Sequence, residues 1–263
     1  MLTGEQIDIC LILTRPRCYS AGAVLSGRRG RDEPVARFLH CKESGLTRSC
    51  GHREENTELA TVKNALIVGG GPAGLCAATA LCKRGIDVEI AEINADLRPL
   101  GSGLSMMGPT LRALRMVDEE ALERCVDEGF GHHALSFGTV DGQIVQRVEL
   151  PRAAGPEYPG GCGIMRPAFW GLLAEIAEKA GARIRLSTTI TAIEPGADSV
   201  NVTLSDGSSA EYDLVVGADG LHSKVRDLAF PDVAQPFFTG QTVWRVTLPR
   251  ADEISDEIGR AHV

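Results

Sequence analysis

The chain has 263 residues with a formal net charge of −8, 43% hydrophobic and 24% charged. That length holds one large domain or two smaller ones, and the ordinary apolar content excludes a disordered polypeptide. The acidic balance excludes a nucleic-acid binder, which needs a surplus of Lys and Arg, and no apolar run approaches the roughly 20 residues of a membrane-spanning helix.

Residues 1–62 differ in character from the rest. They hold 9 basic and 8 acidic side chains, so the acidity lies in the remainder, with 18 and 27. Apart from a short apolar run, Ile7 to Leu13, this segment shows no sustained period of two or of 3.6. Glu5 and Asp8 stand where a secretory signal needs positive charge. His40, Cys41, Cys50 and His52 match none of the usual zinc spacings and read as loop residues. Residues 1–61 are therefore expected to be a disordered extension outside the fold. An upstream start assignment would account for it. No second Met precedes Met106, so a shorter product would begin at a non-Met codon such as that of Val62.

From Val62 the pattern sharpens. Ala65-Leu66-Ile67-Val68 has no polar alternation, as expected of a strand buried on both faces. It runs into Gly69-Gly70-Gly71-Pro72-Ala73-Gly74, and an Ala- and Leu-rich helix is predicted over Leu75 to Arg84, closed by Gly85. A second strand, Ile86 to Ala91, ends at Glu92. With 30 glycines, one G-x-G-x-x-G is expected about 0.4 times by chance. The complete strand, glycine turn, helix, strand and acid make this one a dinucleotide-binding unit.

Each part has a physical task. Gly69 permits a tight exit from the strand, Gly71 lets a pyrophosphate approach the backbone, and Gly74 lets the helix pack closely on the strand. The first helical turn, which begins with Pro72 and Ala73, offers its free N–H groups (Pro72 has none) and the positive end of the helix dipole to the diphosphate. Glu92 lies 18 residues beyond Gly74, where a carboxylate can accept ribose hydroxyls. Glu89 is the competing acid but sits inside the strand. This unit alone does not distinguish NAD from FAD.

Farther on, Ala134 to Val140 and Gln143 to Val148, joined at Asp141-Gly142, read as a hairpin with Ile144, Val145 and Val148 as its apolar positions. Ile164-Met165-Arg166 precedes a helix with Pro167 in its first turn and an apolar stripe of Leu172, Leu173, Ile176 and Ala180. Arg183 to Leu186, Thr188 to Ile193 and Val200 to Leu204 read as strands returning to the nucleotide-binding region, and Asp206-Gly207 as a turn. Asp213 to Gly217 is a buried strand that breaks at Gly217-Ala218-Asp219-Gly220, with a helix predicted from Leu221. Cys76, Cys82, Cys125 and Cys162 have no paired spacing and read as reduced thiols of a cytoplasmic protein. His132 and His133, adjacent on a strand, point to opposite faces and do not make one site. No metal site and no Ser-His-Asp set is expected.

Gly69 to Leu75, Glu92 and the segment Asp213 to Arg226, with Asp-Gly followed by Ser-x-Val-Arg, together resemble the class A flavoprotein monooxygenases, the FAD-dependent aromatic hydroxylases. The resemblance implies an α/β fold in which a Rossmann-like FAD-binding domain (62–128 and 160–227) is interleaved with a partial β-sheet substrate domain (129–159 and 228–263). It places Asp219 near the pyrophosphate, with a link to NAD(P)H use, and gives Gly220 the turn. Gly101-Ser102-Gly103-Leu104 resembles a segment beside the flavin, so Gly103 joins the set. Arg166 inherits a contact to FAD, and Trp244-Arg245 resembles a pair in the substrate domain.

Two departures stand out. Ile93 follows Glu92 where the family often has a basic residue, and the family's third fingerprint, a Gly-Asp segment beside the ribityl chain, has no match in this sequence. The resemblance implies that NADPH or NADH reduces FAD and that O2 then yields a flavin C4a-hydroperoxide, which hydroxylates a small aromatic or heterocyclic substrate. Two alternatives stay open: a flavin-dependent reductase or dehydrogenase, and a non-catalytic FAD-binding fragment lacking the Gly-Asp motif.

Overall fold

The computed structural model describes residues 10–13, 62–97, 101–139, 141, 143–242 and 261–262. Its strands and helices, in chain order, are β1 (Cys10–Leu13), β2 (Asn64–Val68), α1 (Pro72–Cys82), β3 (Asp87–Ala91), β4 (Gly103–Met107), α2 (Gly108–Val117), α3 (Glu119–Glu128), β5 (Phe130–His132), β6 (Ala134–Gly138) and β7 (Ile144–Glu149). There follow β8 (Gly161–Met165), α4 (Arg166–Lys179), β9 (Arg183–Arg185), β10 (Ile190–Pro195), β11 (Val200–Leu204), β12 (Ser209–Tyr212), β13 (Leu214–Gly217), α5 (Lys224–Ala229) and β14 (Ala261–His262). The fold is mixed α/β.

The central sheet has the order β1-β13-β2-β3-β9. Strands β13, β2, β3 and β9 are mutually parallel, and β1 pairs antiparallel with β13 at one edge. The unbroken apolar run in β2 follows from burial on both faces. Ala65 and Ile67 face a core with Leu75 and Ala78 of α1 and Leu172, Leu173 and Ile176 of α4. Leu66 and Val68 face a second core with Ile190, Val200, Val202, Leu204 and Val225. Helices thus cover one face of the sheet, and an antiparallel sheet, β10-β11-β12, covers the other with α5.

Several expectations change. Cys10–Leu13 joins the central sheet, so this part of 1–61 belongs to the fold; the apolar run from Ile7 was its only sequence signal. The rest of that segment, with His40, Cys41, Cys50 and His52, lies outside the described residues. Helix α1 begins at Pro72, not Leu75, because proline's fixed φ and missing N–H suit the first helical position. The three returning strands do reach the nucleotide-binding region, but only β9 enters its central sheet; β10 pairs with β11, and β11 with β12, in the sheet that packs on it.

Strand β5 pairs with β8 beside β4, so residues 130–132 share a sheet with the segment that leads into α4, across the boundary drawn at 128/129. In the hairpin β6–β7, which also pairs with β14, Ile144, Val145 and Val148 are exposed and do not form a buried alternating face. Helix α5 starts at Lys224 rather than Leu221. Trp244 and Arg245 lie outside the described residues.

Polar contacts tie these layers together. Arg183 makes a two-pronged contact to Asp87 (2.6 and 3.0 Å) between β9 and β3. Lys83, just past α1, pairs with Asp118, whose Oδ1 also caps α3 by accepting the Ala121 N–H. That cap is the expected role of an Asp ahead of a first turn carrying Glu119 and Glu120.

Candidate nucleotide-binding site

The carboxyl ends of β2 and β13 lie side by side where the strand order reverses, the position at which open α/β sheets bind ligands. Each of these strands runs into a glycine-containing turn and then a helix. Gly69 leaves β2 with φ +108°, a region costly for any side chain, and its N–H reaches Ala91 O (2.8 Å). A Cβ on Gly69 would stand 2.3 Å from Ala218 O, so the two turns touch backbone to backbone. A Cβ on Gly74 would stand 1.9 Å from Gly69 O and 3.2 Å from Ile67 Cγ2, which is the tight helix-to-strand packing expected at this position.

Gly71 is different. It has ordinary backbone geometry (φ −75°), and an added Cβ would find only Trp170 Cζ2, at 4.0 Å. The space beside it is open. Gly71 is the N-cap of α1, Pro72 occupies the first turn with Ala73 and Gly74, no side chain caps the helix, and its first turn holds no acid. The first N–H groups of a helix have no intrahelical partner, so this end carries uncompensated positive character.

Glu92 closes one side of the turn. The residue is buried, and its carboxylate faces the glycines: Oε2 accepts the Gly70 N–H (2.6 Å). Oε1 accepts the backbone N–H and the side-chain N–H of Asn94 (2.8 and 2.6 Å). Glu89 is engaged elsewhere. It accepts from Arg185 (3.2 Å) and from the Tyr212 hydroxyl (3.1 Å), between the central sheet and β12.

On the second turn, Gly220 has φ +76° with open space around it, as an Asp-Gly turn requires. The side chain of Asp219 points along the chain into α5. Its Oδ1 accepts the Ser223 hydroxyl (2.5 Å), and its Oδ2 accepts the Lys224 and Val225 N–H groups (2.6 and 3.1 Å). Ser223 in turn accepts the Arg226 N–H (3.0 Å) as the N-cap. This double cap explains why α5 begins at Lys224: the three residues before it form the turn that Asp219 closes.

Gly103 opens β4 opposite Met165, and Arg166 is the first residue of α4. The Arg166 N–H reaches Ser102 O (3.3 Å), and a Cβ on Gly101 would stand 2.8 Å from Arg166 Cδ, so the arginine stem crosses the Gly101–Gly103 segment. Trp170 lies one helical turn after Arg166, on the same side of α4, and reaches toward Gly71. The structure therefore gathers Gly69, Gly71, Pro72, Ala73, Gly74, Glu92, Asp219 and Gly220 around the two turns. Gly103 and Arg166 form a second group, linked to the first through Trp170. Among the described residues no cluster of three or more His, Cys, Asp or Glu could hold a metal.

The match to known proteins follows this geometry. A profile described as an FAD binding domain matches residues 63–244. The chain belongs to the FAD-binding domain family. Within it, the chain resembles FAD-dependent aromatic hydroxylases. It is 33% identical over 194 residues to the 2-heptyl-3-hydroxy-4(1H)-quinolone synthase of Pseudomonas aeruginosa, covering 74% of this chain and 49% of that protein. To the 3-hydroxybenzoate 6-hydroxylase of Klebsiella oxytoca it is 30% identical over 204 residues, covering 75% and 50%. Among solved structures it resembles 2-methyl-3-hydroxypyridine-5-carboxylic acid oxygenase, with TM-score 0.55, 29% identity, and 64% of this chain against 42% of that one. The chain spans about half the length of the curated relatives it matches.

Within this FAD-binding family fold, sequence reasoning missed three neighbours of the turn. Gly70 is the second residue of a glycine run and lies outside the G-x-G-x-x-G positions, although its N–H holds Glu92. Asn94 carried no motif signal, but its position two residues after the strand-terminal acid is where an Asx side chain can fold back on the chain. Trp170 was hidden in an apolar helix, and only its spacing of four from Arg166 could have suggested a shared face.

Proposed function

We propose that this chain binds FAD across the β2 and β13 turns and serves an FAD-dependent monooxygenase that uses NADPH or NADH and O2 to hydroxylate a small aromatic or heterocyclic compound. One observation carries the reading: the open position beside Gly71 at the uncapped start of α1, with the buried Glu92 carboxylate, 22 residues beyond Gly70, hydrogen-bonded to the same turn. The residues fit the cofactor. Diphosphate suits the first-turn N–H groups and dipole of α1, where Gly71, Pro72, Ala73 and Gly74 put no side chain in the way. Glu92 is the ribose acceptor, and Arg166 and Gly103 lie along the continuation of the cofactor. Asp219 and Gly220 hold the second turn against Gly69.

Bound FAD would supply the redox and oxygen chemistry, for which protein side chains have no equivalent. What this chain contributes is binding and orientation. The names of its relatives support an aromatic or heterocyclic substrate: a quinolone synthase, a hydroxybenzoate hydroxylase and a hydroxypyridine carboxylic acid oxygenase. No helix among the described residues is long and apolar enough to cross a membrane. A cytoplasmic location, in keeping with the free thiols of Cys76, Cys82, Cys125 and Cys162, is part of the same proposal.

Purified chain titrated with FAD should quench flavin fluorescence at a 1:1 stoichiometry, and FAD should accelerate oxidation of NADPH or NADH. Absence of any flavin binding would refute the reading. Hydrogen peroxide formed in place of hydroxylated product, across hydroxybenzoates and hydroxyquinolones, would favour the reductase alternative. Flavin bound with no oxidation of nicotinamide would favour a binding fragment.

A further inference from the structure

The hydrogen bonds around Glu92 are unevenly divided between its two oxygens. A carboxylate has about four lone-pair positions, two per oxygen. Oε1 uses both of its own on Asn94, through the backbone N–H at 2.8 Å and the side-chain N–H at 2.6 Å. Oε2 uses one on Gly70 (2.6 Å) and keeps one. Asn94 is anchored independently: its carbonyl accepts the Ser187 N–H (2.9 Å). Ser187 holds a left-handed conformation (φ +54°), rare for a residue with a side chain. Its neighbours grip Glu92 as well, since the Glu92 N–H reaches Arg185 O (2.9 Å) and the Thr188 N–H reaches Glu92 O (2.8 Å). The loop after β9 thus fixes the backbones of both residues, and among the described residues Asn94 fixes the carboxylate from the side away from the glycines.

We propose that Asn94 is a positioning residue for the cofactor: it saturates Oε1 of Glu92, so that the ribose of the nucleotide is met by the remaining lone pair of Oε2, beside Gly70. The inference rests on the FAD reading of the glycine turn. Without the Asn94 amide, Oε1 keeps only the backbone N–H of residue 94 and competes with Oε2 for the ribose hydroxyl, and the ribose acceptor loses its orientation. Asn94 touches no ligand atom in this account and acts only through Glu92.

The test is an FAD titration of the full chain and its variants, with Tm recorded for each. Asn94→Ala should weaken FAD binding about tenfold and, by removing one hydrogen bond to a charged group, lower Tm by about 3–6 °C, which leaves the chain folded at the temperature of the titration. Asn94→Asp, which keeps the shape but sets a second carboxylate against Oε1, should weaken binding further and serves if the alanine variant fails to fold. In a Glu92→Ala background, Asn94→Ala should change FAD affinity less than about twofold, because residues acting through one another are not additive. Unchanged affinity in both Asn94 variants, or a full additive loss in the Glu92→Ala background, would overturn the proposal. If Glu92→Ala weakens binding while the Asn94 variants do not, the FAD reading stands and Asn94 has no part in it. If the unaltered chain binds no FAD, both fall.

Discussion

The turns after β2 and β13 begin alike and are finished differently. Both leave parallel, adjacent strands through glycine-containing turns, and both lead into helices. At the first, the helix end is left without a side-chain cap, and the acid that belongs to it, Glu92, comes from another strand. At the second, Asp219 and Ser223 of the turn itself take the N–H groups of α5. A helix end that its own side chains satisfy has little left for an external anion; one that they leave bare keeps its donors available. On the proposed FAD reading the first turn faces the diphosphate, and the second is a wall that supports it.

The largest effect that would test this contrast is at Gly74. Gly74→Ala drives a methyl to within 1.9 Å of the Gly69 carbonyl, and unfolding measurements should show a loss of about 3 kcal/mol. A variant as stable as the parent would mean that α1 does not pack on the turn as described. Gly71→Ala sharpens the point, since its Cβ meets nothing closer than 4.0 Å. It should fold with an unchanged Tm yet bind FAD at least about tenfold more weakly, the methyl occupying the space the diphosphate needs. Equal FAD affinity would place the ligand elsewhere.

Asp219→Ala should cost about 1–2 kcal/mol by removing the α5 cap, and Asp219→Asn about half of that. Loss of FAD affinity without loss of stability would reverse the assignment and make Asp219 a ligand contact first. The smallest effect concerns the scaffold away from both turns. Burial, and secondarily Glu89, pushes the Tyr212 hydroxyl up to about 12, whereas an unfolded tyrosine titrates near 10. The native state then holds a proton that the unfolded state releases. Stability from this group is complete below about pH 10 and is lost as pH rises through about 12. Tyr212→Phe should flatten that part of the stability profile while leaving FAD affinity unchanged.

Much of the first turn was legible in the chain. The burial of β2, the glycine spacing and the place of Glu92 are local patterns, set by a strand period, a helix start and a fixed offset. The second turn was legible as a turn but not as a cap. Leu221 to Arg226 reads as a helix opening because Asp and Ser four residues apart can each start one; only the positions of the Lys224 and Val225 N–H groups decide between them. The return of β10 and β11 to the nucleotide-binding region was legible, but not which sheet they join. Their alternation shows one buried face, and a buried face does not say which sheet it pairs with. Cys10–Leu13 could not be placed from sequence at all, since four apolar residues pair with any open edge.

By itself, then, the sequence determined the β2–α1–β3 unit, the glycines whose close packing or open space matters there, and the family, because these depend on contacts between residues near in the chain. The tertiary structure decided what depends on distant pairing: that Ala218 backs onto Gly69, that the β9 loop holds Glu92 and Asn94, and that Lys63 and Asn64 meet Asp213. Such contacts join segments up to 150 residues apart, and their hydrogen bonds are specified by geometry that no local pattern encodes.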